Sequence, residues 1–389
     1  MLTSTAARLT SMVAATVLLI GVVACQKAAQ NPTTANDLAA LPLVAPAAAG
    51  NASSPEKIAL GRALFWDPVL SGGKDVSCAT CHHPATGYAD ALDVSIGANG
   101  QGLGASRRFR VPNDIPFGKR NSPTVLNAAF NGLTAAGAAD PALAPMFWDG
   151  RAKSLETQAL MPVATLDEMC GRQYAEGMAL DSVAARLRRV PAYAAMFNAA
   201  FAGASPVTAA NIGKALASFE RTLIATDSRF DQYMRGNQAA LSPQEVTGLN
   251  AFVASGCAKC HSGPMLSDYQ LHVLGVADNP RNPTSDAGAN GTYAFRTPSL
   301  RNVALTAPYM HSGTIRDLAG VLNFYDPGRG QAPSANPHVS MSQRDPLFPG
   351  QVSNAPAIIA FLGALTATTY DRTVPAAVPS GLPVGGNIH

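Results

Sequence analysis

The chain has 389 residues, of which 47% are hydrophobic and only 6% aromatic, with 34 Gly and 29 Pro. That supply of apolar residues supports two cores of ordinary domain size linked by many irregular loops. A formal charge of +3, spread without clusters, leaves no electrostatic footprint for nucleic acid.

At the N-terminus, Arg8 precedes an apolar run from Met12 to Val23 that is too short to span a bilayer, so residues 1–25 read as a targeting segment. The run closes on Val22-Val23-Ala24-Cys25, which resembles a bacterial lipobox, in which Cys25 becomes the lipidated N-terminus. Ordinary cleavage near Ala24 is the alternative. Gln26 after the Cys points to the outer membrane, and either form of export leads to the periplasmic side. Residues 26–52 are rich in Ala, Pro, Asn and Thr and read as a flexible tether. Ser54-Pro55-Glu56 starts a helix that runs through Ile58 to Trp66.

After a Gly72-Gly73 turn comes Cys78-Ala79-Thr80-Cys81-His82, and the same pattern returns as Cys257-Ala258-Lys259-Cys260-His261. C-x-x-C-H attaches a c-type haem: both thiols form thioethers to the porphyrin and the His coordinates iron. A zinc site would need both Cys pairs to converge on one ion and gives no reason for a His after each. Two covalent haems follow. His83 is one residue too far on to reach the iron that His82 binds, and reads as filler. Residues 93–122, with Arg107, Arg108 and Arg110, look like an exposed basic loop near the first haem. Helical periodicity follows over Leu180–Arg189, Ala192–Ala200 and Thr208–Thr226, the last with Ile212, Leu216, Phe219 and Leu223 on one face. Ser242-Pro243-Gln244-Glu245 is a capping box that starts the helix delivering the second motif. Val321–Tyr325 and Ala355–Leu365 read as later helices, and no long alternating strand runs occur. The expected fold is mainly α and loop-rich, with two cytochrome-c-like haem domains packed together. The first spans residues 53–226, the second 227–370, and 371–389 form a tail.

Several further stretches carry a resemblance. They are Arg120-Asn121-Ser122-Pro123-Thr124, Phe147-Trp148-Asp149-Gly150-Arg151, Glu168-Met169, Arg296-Thr297-Pro298-Ser299-Leu300-Arg301-Asn302 and Ala307-Pro308-Tyr309-Met310-His311. Together they resemble the bacterial dihaem cytochrome c peroxidase and MauG superfamily over residues 54–368. The resemblance implies hydrogen peroxide reduction at the N-terminal haem, electrons passed through the second haem, Trp148 as a relay between them, and a nearby calcium ion. It makes His82 the proximal ligand of the peroxidatic haem. Peroxidases of this family place a second His sixteen residues after it; Ala98 stands there, which implies an open distal side, as in MauG-like members. Glu168, twenty residues after Trp148, matches the family's distal Glu, a proton shuttle for peroxide cleavage, with Gln158 and Pro162 also at family positions.

At the second haem, His261 is the proximal ligand. The position fourteen residues after His311, Met in the peroxidases, is Tyr325, as in MauG-like enzymes. A phenolate is a hard ligand that favours ferric and higher states; Met310 is the alternative ligand. Calcium would be held by Asn121 and the carbonyls of Thr306 and Pro308. Arg296 and Arg301 are candidates for pairing haem propionates. Cys170 reads as a small buried hydrophobe, and His272, His338 and His389 carry no assignment. The family's surface Trp two residues before the second motif is Ser255 in this chain, so that exit for oxidising equivalents is missing. The leading expectation is an exported MauG-like dihaem peroxidase fed by a small cytochrome or cupredoxin. The alternatives are oxidative modification of a partner protein and a non-enzymatic electron-transfer cytochrome.

Overall fold

Ser54 accepts a hydrogen bond from Lys57 N at 3.3 Å and Pro55 takes the first helical position, so α1 (Pro55–Trp66) begins where its sequence predicts. The computed structural model describes Met1 and residues 37–175, 177–326 and 336–389; the targeting segment, Cys25 and Gln26 lie outside the described residues. α1 is crossed by α7 (Ala209–Glu220), where a Cβ on Gly61 would stand 1.9 Å from Ala215 O. Glycine is what lets the two backbones meet. Leu60, Leu64 and Phe65 interlock with Ile212, Leu216 and Phe219 to form the first core, joined by α5 (Ala179–Arg188) and α6 (Pro191–Ala200). The helix expected to reach Thr226 ends at Glu220, although Leu223 stays in the core.

A second core repeats this construction. The capping box of Ser242 and Glu245 starts α9 (Pro243–Ala254), which crosses α11 (Ala355–Ala364) at Gly248. A Cβ there would again stand 1.9 Å from a carbonyl oxygen, that of Ala357. Leu249, Phe252, Ile358 and Phe361 pack with Phe230 of α8 (Arg229–Met234). The remaining helices are short: α2 (Cys78–Cys81), α3 (Leu155–Gln158), α4 (Met161–Ala164) and α10 (Leu318–Tyr325). The described strands form antiparallel pairs: β1 (Gly100–Gln101) with β2 (Arg108–Phe109), β3 (Pro145–Met146) with β4 (Ala152–Lys153), and β5 (Leu271–Val273) with β6 (Ala294–Arg296). The architecture is mainly helical, and no described helix is long and apolar enough to cross a membrane.

Two expectations about loop and terminal segments are corrected. The tether of residues 26–52 is not free from residue 37 onward. Leu38 and Leu41 are buried, Gly263 N donates to Asp37 O at 2.9 Å, and Leu41 N donates to Asp231 Oδ1 at 2.8 Å. Asn51 is buried too, its Nδ2 donating to Glu156 Oε1 at 2.9 Å and to Lys214 O at 2.8 Å. The tail of residues 371–389 packs on the first core. Val378 joins the first core, Gly385 N donates to Trp66 O at 2.8 Å, and Thr80 Oγ1 donates to Gly385 O at 2.8 Å. Lastly, Arg107 is 1% exposed, not part of a basic surface. Its guanidinium donates to the carbonyls of Gly97 at 2.8 Å, Gly102 at 2.9 Å and Asn387 at 3.2 Å, and thereby pins the loop it was expected to decorate.

Candidate functional site

The two C-x-x-C-H segments orient their histidines in one way. His82 Nδ1 lies 3.1 Å from Tyr88 O, and His261 Nδ1 lies 2.9 Å from Leu266 O. The residue supplying each carbonyl is left-handed and not glycine, with φ of 58° at Tyr88 and 48° at Leu266. Strained backbone of this kind persists where the surroundings over-determine it. With Nδ1 engaged as a donor to a backbone carbonyl, which fixes the ring's tautomer and orientation, Nε2 is left for a metal. His83 accepts from Ala85 N through Nδ1 at 3.2 Å and meets the Trp66 ring edge-on at 5.5 Å, a turn-capping role.

Both histidines and Cys78, Cys81, Cys257 and Cys260 line one continuous cavity of about 690 Å³. Burial pushes the thiols of Cys81 and Cys257 up to about 12. Among the described residues, the only cluster able to hold an ion, Cys260 with Asp268 and His272, does not join the two Cys pairs. The two Cys pairs therefore do not converge on one site among the described residues, as a zinc site would need.

On the first side of the cavity, Glu168 belongs to a π-turn, Leu166–Cys170, a conformation frequent at functional sites. Burial, assisted by Asp167, raises its carboxyl to about 7. Gln158 and Pro162 line the cavity with it. Ser95 and Gly97 also reach the cavity, whereas Ala98 is buried. A Cβ on Gly97 would stand 2.2 Å from the carbonyls of both Asp167 and Glu168, so this segment is locked against the π-turn. Cys170 is buried beside it, as expected.

Trp148 lines the same cavity and donates from Nε1 to Asn121 O at 2.8 Å, while Asn121 N donates to His311 O at 2.8 Å. Asn121 spends its Nδ2 on Leu92 O at 2.8 Å, which leaves the carboxamide oxygen as its remaining side-chain ligand atom. Thr306 and Pro308 are also on the cavity wall. Of the two arginines considered for propionates, Arg296 reaches the cavity. Arg301 does not. It is bound to Asp231 at 2.9 Å and to the carbonyls of Pro264 and Ala39, both at 2.8 Å.

On the second side, Tyr325 ends α10 and lines the cavity with His261 and Met310. Its ring meets Phe348 at 5.4 Å, and burial holds its phenol well above the ordinary range. Only a strong nearby cation would draw off that proton.

A family model described as di-haem cytochrome c peroxidase matches residues 55–239. The methylamine utilization protein MauG of Methylorubrum extorquens is 36% identical over 353 residues, covering 87% of this chain and 88% of the relative. The cytochrome c551 peroxidase of Pseudomonas aeruginosa is 37% identical over 280 residues, covering 69% of this chain and 71% of the relative. The chain belongs to the dihaem cytochrome c peroxidase and MauG superfamily. A solved structure of a MauG-like protein associated with microbial copper homeostasis superposes with a TM-score of 0.67 at 29% identity, covering 84% of this chain and 95% of that one.

As a member of this superfamily the chain is an oxidoreductase of dihaem peroxidase type, with two c-type haems. Its residues fit that cofactor pair. Two thiols and one oriented imidazole from each motif line one largely apolar cavity. Glu220 Oε2 and His311 Nε2, both buried, lack any protein partner on its wall. His311 stacks on Phe295 at 3.6 Å and meets Trp148 edge-on at 6.5 Å. Burial lowers His311 to about 4, so it is neutral, and raises Glu220 to about 8. Sequence reasoning missed Glu220 and His272. Glu220 lies among core residues of an amphipathic helix, and His272 is far in sequence from one of its partners.

Proposed function

We propose that this chain is an exported, MauG-like dihaem peroxidase. Hydrogen peroxide is reduced at the haem held by Cys78, Cys81 and His82, and electrons arrive through the haem held by Cys257, Cys260, His261 and Tyr325. The haem supplies an iron that binds peroxide and exchanges electrons. The protein supplies the rest. Glu168, with a carboxyl near neutrality, takes a proton from one peroxide oxygen and returns it to the other, the leaving one. Gln158 and Pro162 shape the wall around it. Trp148, on the cavity wall with both motifs, is the relay between the two irons. The folded body divides into haem domains at residues 53–226 and 227–370.

The observation that supports the MauG-like reading is Tyr325 on the wall of the cavity that His261 also lines, combined with the absence of any His from 84 to 260. The test is electron paramagnetic resonance of the ferric holoenzyme. One high-spin and one low-spin haem are expected, and peroxide added to the diferric enzyme should oxidise both irons without prior reduction. In Tyr325→Phe the low-spin signal should be lost; an unchanged signal would overturn the assignment.

A calcium ion would be held by Asn121 and the carbonyls of Thr306 and Pro308, a hard-oxygen set suited to that ion. A small cytochrome or cupredoxin is the proposed electron donor, on the periplasmic side, with the chain tethered to the outer membrane by lipid on Cys25. Oxidation of a partner protein is the second reading, favoured by the likeness to MauG. Ser255, hydrogen-bonded to Ser353, offers no oxidisable side chain on that exit.

A further inference from the structure

The carbonyl that orients His82 belongs to a tyrosine. One hydrogen bond, between His82 Nδ1 and Tyr88 O at 3.1 Å, therefore joins the first motif to an aromatic side chain. The Tyr88 ring lies in the first core, 0% exposed and 6.3 Å from the ring of Phe65. Tyr370 packs against it. The two ring centres are 6.2 Å apart at an interplanar angle of 65°, the edge-to-face contact of neighbouring aromatic rings. Tyr370 Oη also donates to Pro84 O at 3.3 Å, in the turn that follows His82 and His83. Tyr370 is half-buried, and Thr368, Thr369, Arg372 and Thr373 around it in sequence are exposed. A buried tyrosine beside the motif thus touches a second tyrosine that reaches the surface.

The two phenols differ in what they can do with a proton. Tyr88 Oη donates to Asp371 O at 2.7 Å, and burial holds this phenol above its ordinary range. A backbone carbonyl accepts the hydrogen bond but does not take the proton, so an oxidised Tyr88 keeps it and is short-lived. Tyr370 has access to water. The Arg372 guanidinium lies 4.3 Å from its ring centre, which disfavours a positive charge left on the ring. Loss of an electron from Tyr370 is therefore coupled to loss of its proton.

We infer that Tyr88 and Tyr370 form a relay that carries oxidising equivalents from the first haem to the protein surface, and that Tyr370 is a site of one-electron oxidation outside the haem cavity. Tyr88 gives up an electron towards the haem and keeps its proton on the bond to Asp371 O. Tyr370 then returns an electron to Tyr88 and releases its own proton to water. Peroxide takes up two electrons and two protons to give two waters, so two such steps balance one peroxide. The site suits one-electron donors too large to enter the cavity, and it places an oxidisable side chain at the surface, which Ser255 does not. The inference rests on the reaction of the first haem with peroxide and not on Tyr325 as a ligand.

The test is addition of peroxide to the ferric holoprotein without an electron donor, followed by electron paramagnetic resonance and by peptide mapping of oxidised and cross-linked residues. Loss of the high-spin resonance reports the reaction at the first haem. A tyrosyl radical is expected, with Tyr370 as the modified residue and with cross-links between Tyr370 side chains of separate molecules. In Tyr370→Phe the radical and the cross-links should be lost while peroxide still removes the high-spin resonance. In Tyr88→Phe, which keeps the ring packing but is harder to oxidise, the Tyr370 radical should form more slowly. Tyr174→Phe, at a phenol bound by Arg186, should behave as wild type. Mapping of the wild type needs no substitution, so the result stands should a variant fail to take up haem. Loss of the high-spin resonance with no modification of Tyr370, a radical confined to tryptophan, or an unchanged radical in Tyr370→Phe overturns this inference alone. A high-spin resonance that peroxide leaves intact overturns the peroxidase reading with it.

Discussion

Glu168 is buried just enough to hold its carboxyl at about 7, where it can accept and release a proton at neutral pH. Glu168→Gln keeps the size and removes the shuttle. Stopped-flow measurement of the holoenzyme should show the reaction with peroxide slowed by about 100-fold, with haem content and spin state unchanged. The wild-type rate should show an inflection near pH 7 that is absent from the variant. A variant of full speed would move the proton role to another group. Glu220 offers a second residue-scale test, on stability. Its folded value of about 8 lies above the 4.5 of an exposed Glu, so the folded state binds this proton more tightly than the unfolded state. The resulting stability is complete below pH 4.5 and is lost as pH rises towards 8. Asp90, raised to about 6 by burial, acts in the same sense over a narrower window. Thermal melts of the holoprotein should therefore show a Tm that falls between pH 5 and 8, and a smaller fall in Glu220→Gln. An equal fall in both would remove Glu220 from the account.

Each core is set by one helix crossing, α1 over α7 and α9 over α11, with a glycine at the contact. Replacing Gly61 by Ala gains about 1 kcal/mol of helix propensity. It also drives a methyl group into Ala215 O, whose backbone cannot step aside. Overpacking costs about 1–3 kcal/mol and sometimes more, so Gly61→Ala should lower the Tm, read by haem absorbance on heating. A Tm at or above wild type would mean that the helices separate freely. What could be read from sequence at this scale was local. Ser54 and Ser242 cap their helices because the signal is contained within a few residues. The haem motifs were legible for the same reason. The π-turn holding Glu168 was not, since no local pattern encodes it, and Glu168 was found only through its spacing from Trp148. Arg107 read as surface charge because composition does not show a guanidinium folding back on its own loop: three of its carbonyl partners lie between Ile96 and Gly102, and only Asn387 is distant. His272 and Asp345 are 73 residues apart, which hides them from any window of sequence.

Across the whole molecule, the segments at the two ends are crossed. Residues 37–41 fasten to the second core through Gly263, Asp231 and Arg301, whereas residues 378–387 fasten to the first core through Trp66, Asp67 and Thr80. Low-complexity composition concealed the first strap and a run of Pro and Gly the second, because burial of a few residues such as Leu38, Leu41 and Val378 leaves no periodic trace. Removing residues 378–389 should expose the underside of α1 and loosen the first haem site. The expected result is loss of the high-spin resonance with retention of the low-spin one; two intact signals would show that the strap is dispensable.

That crossing also sets a timetable. A chain is made from its N-terminus, and domains ordinarily fold in that order. In this chain Thr80, between the two thiols of the first C-x-x-C-H segment, is held by Gly385, 305 residues further along. Until that residue docks, the core around Cys78 and Cys81 lacks one wall. The strap therefore leaves both thiols reachable until it docks, and its docking closes that access.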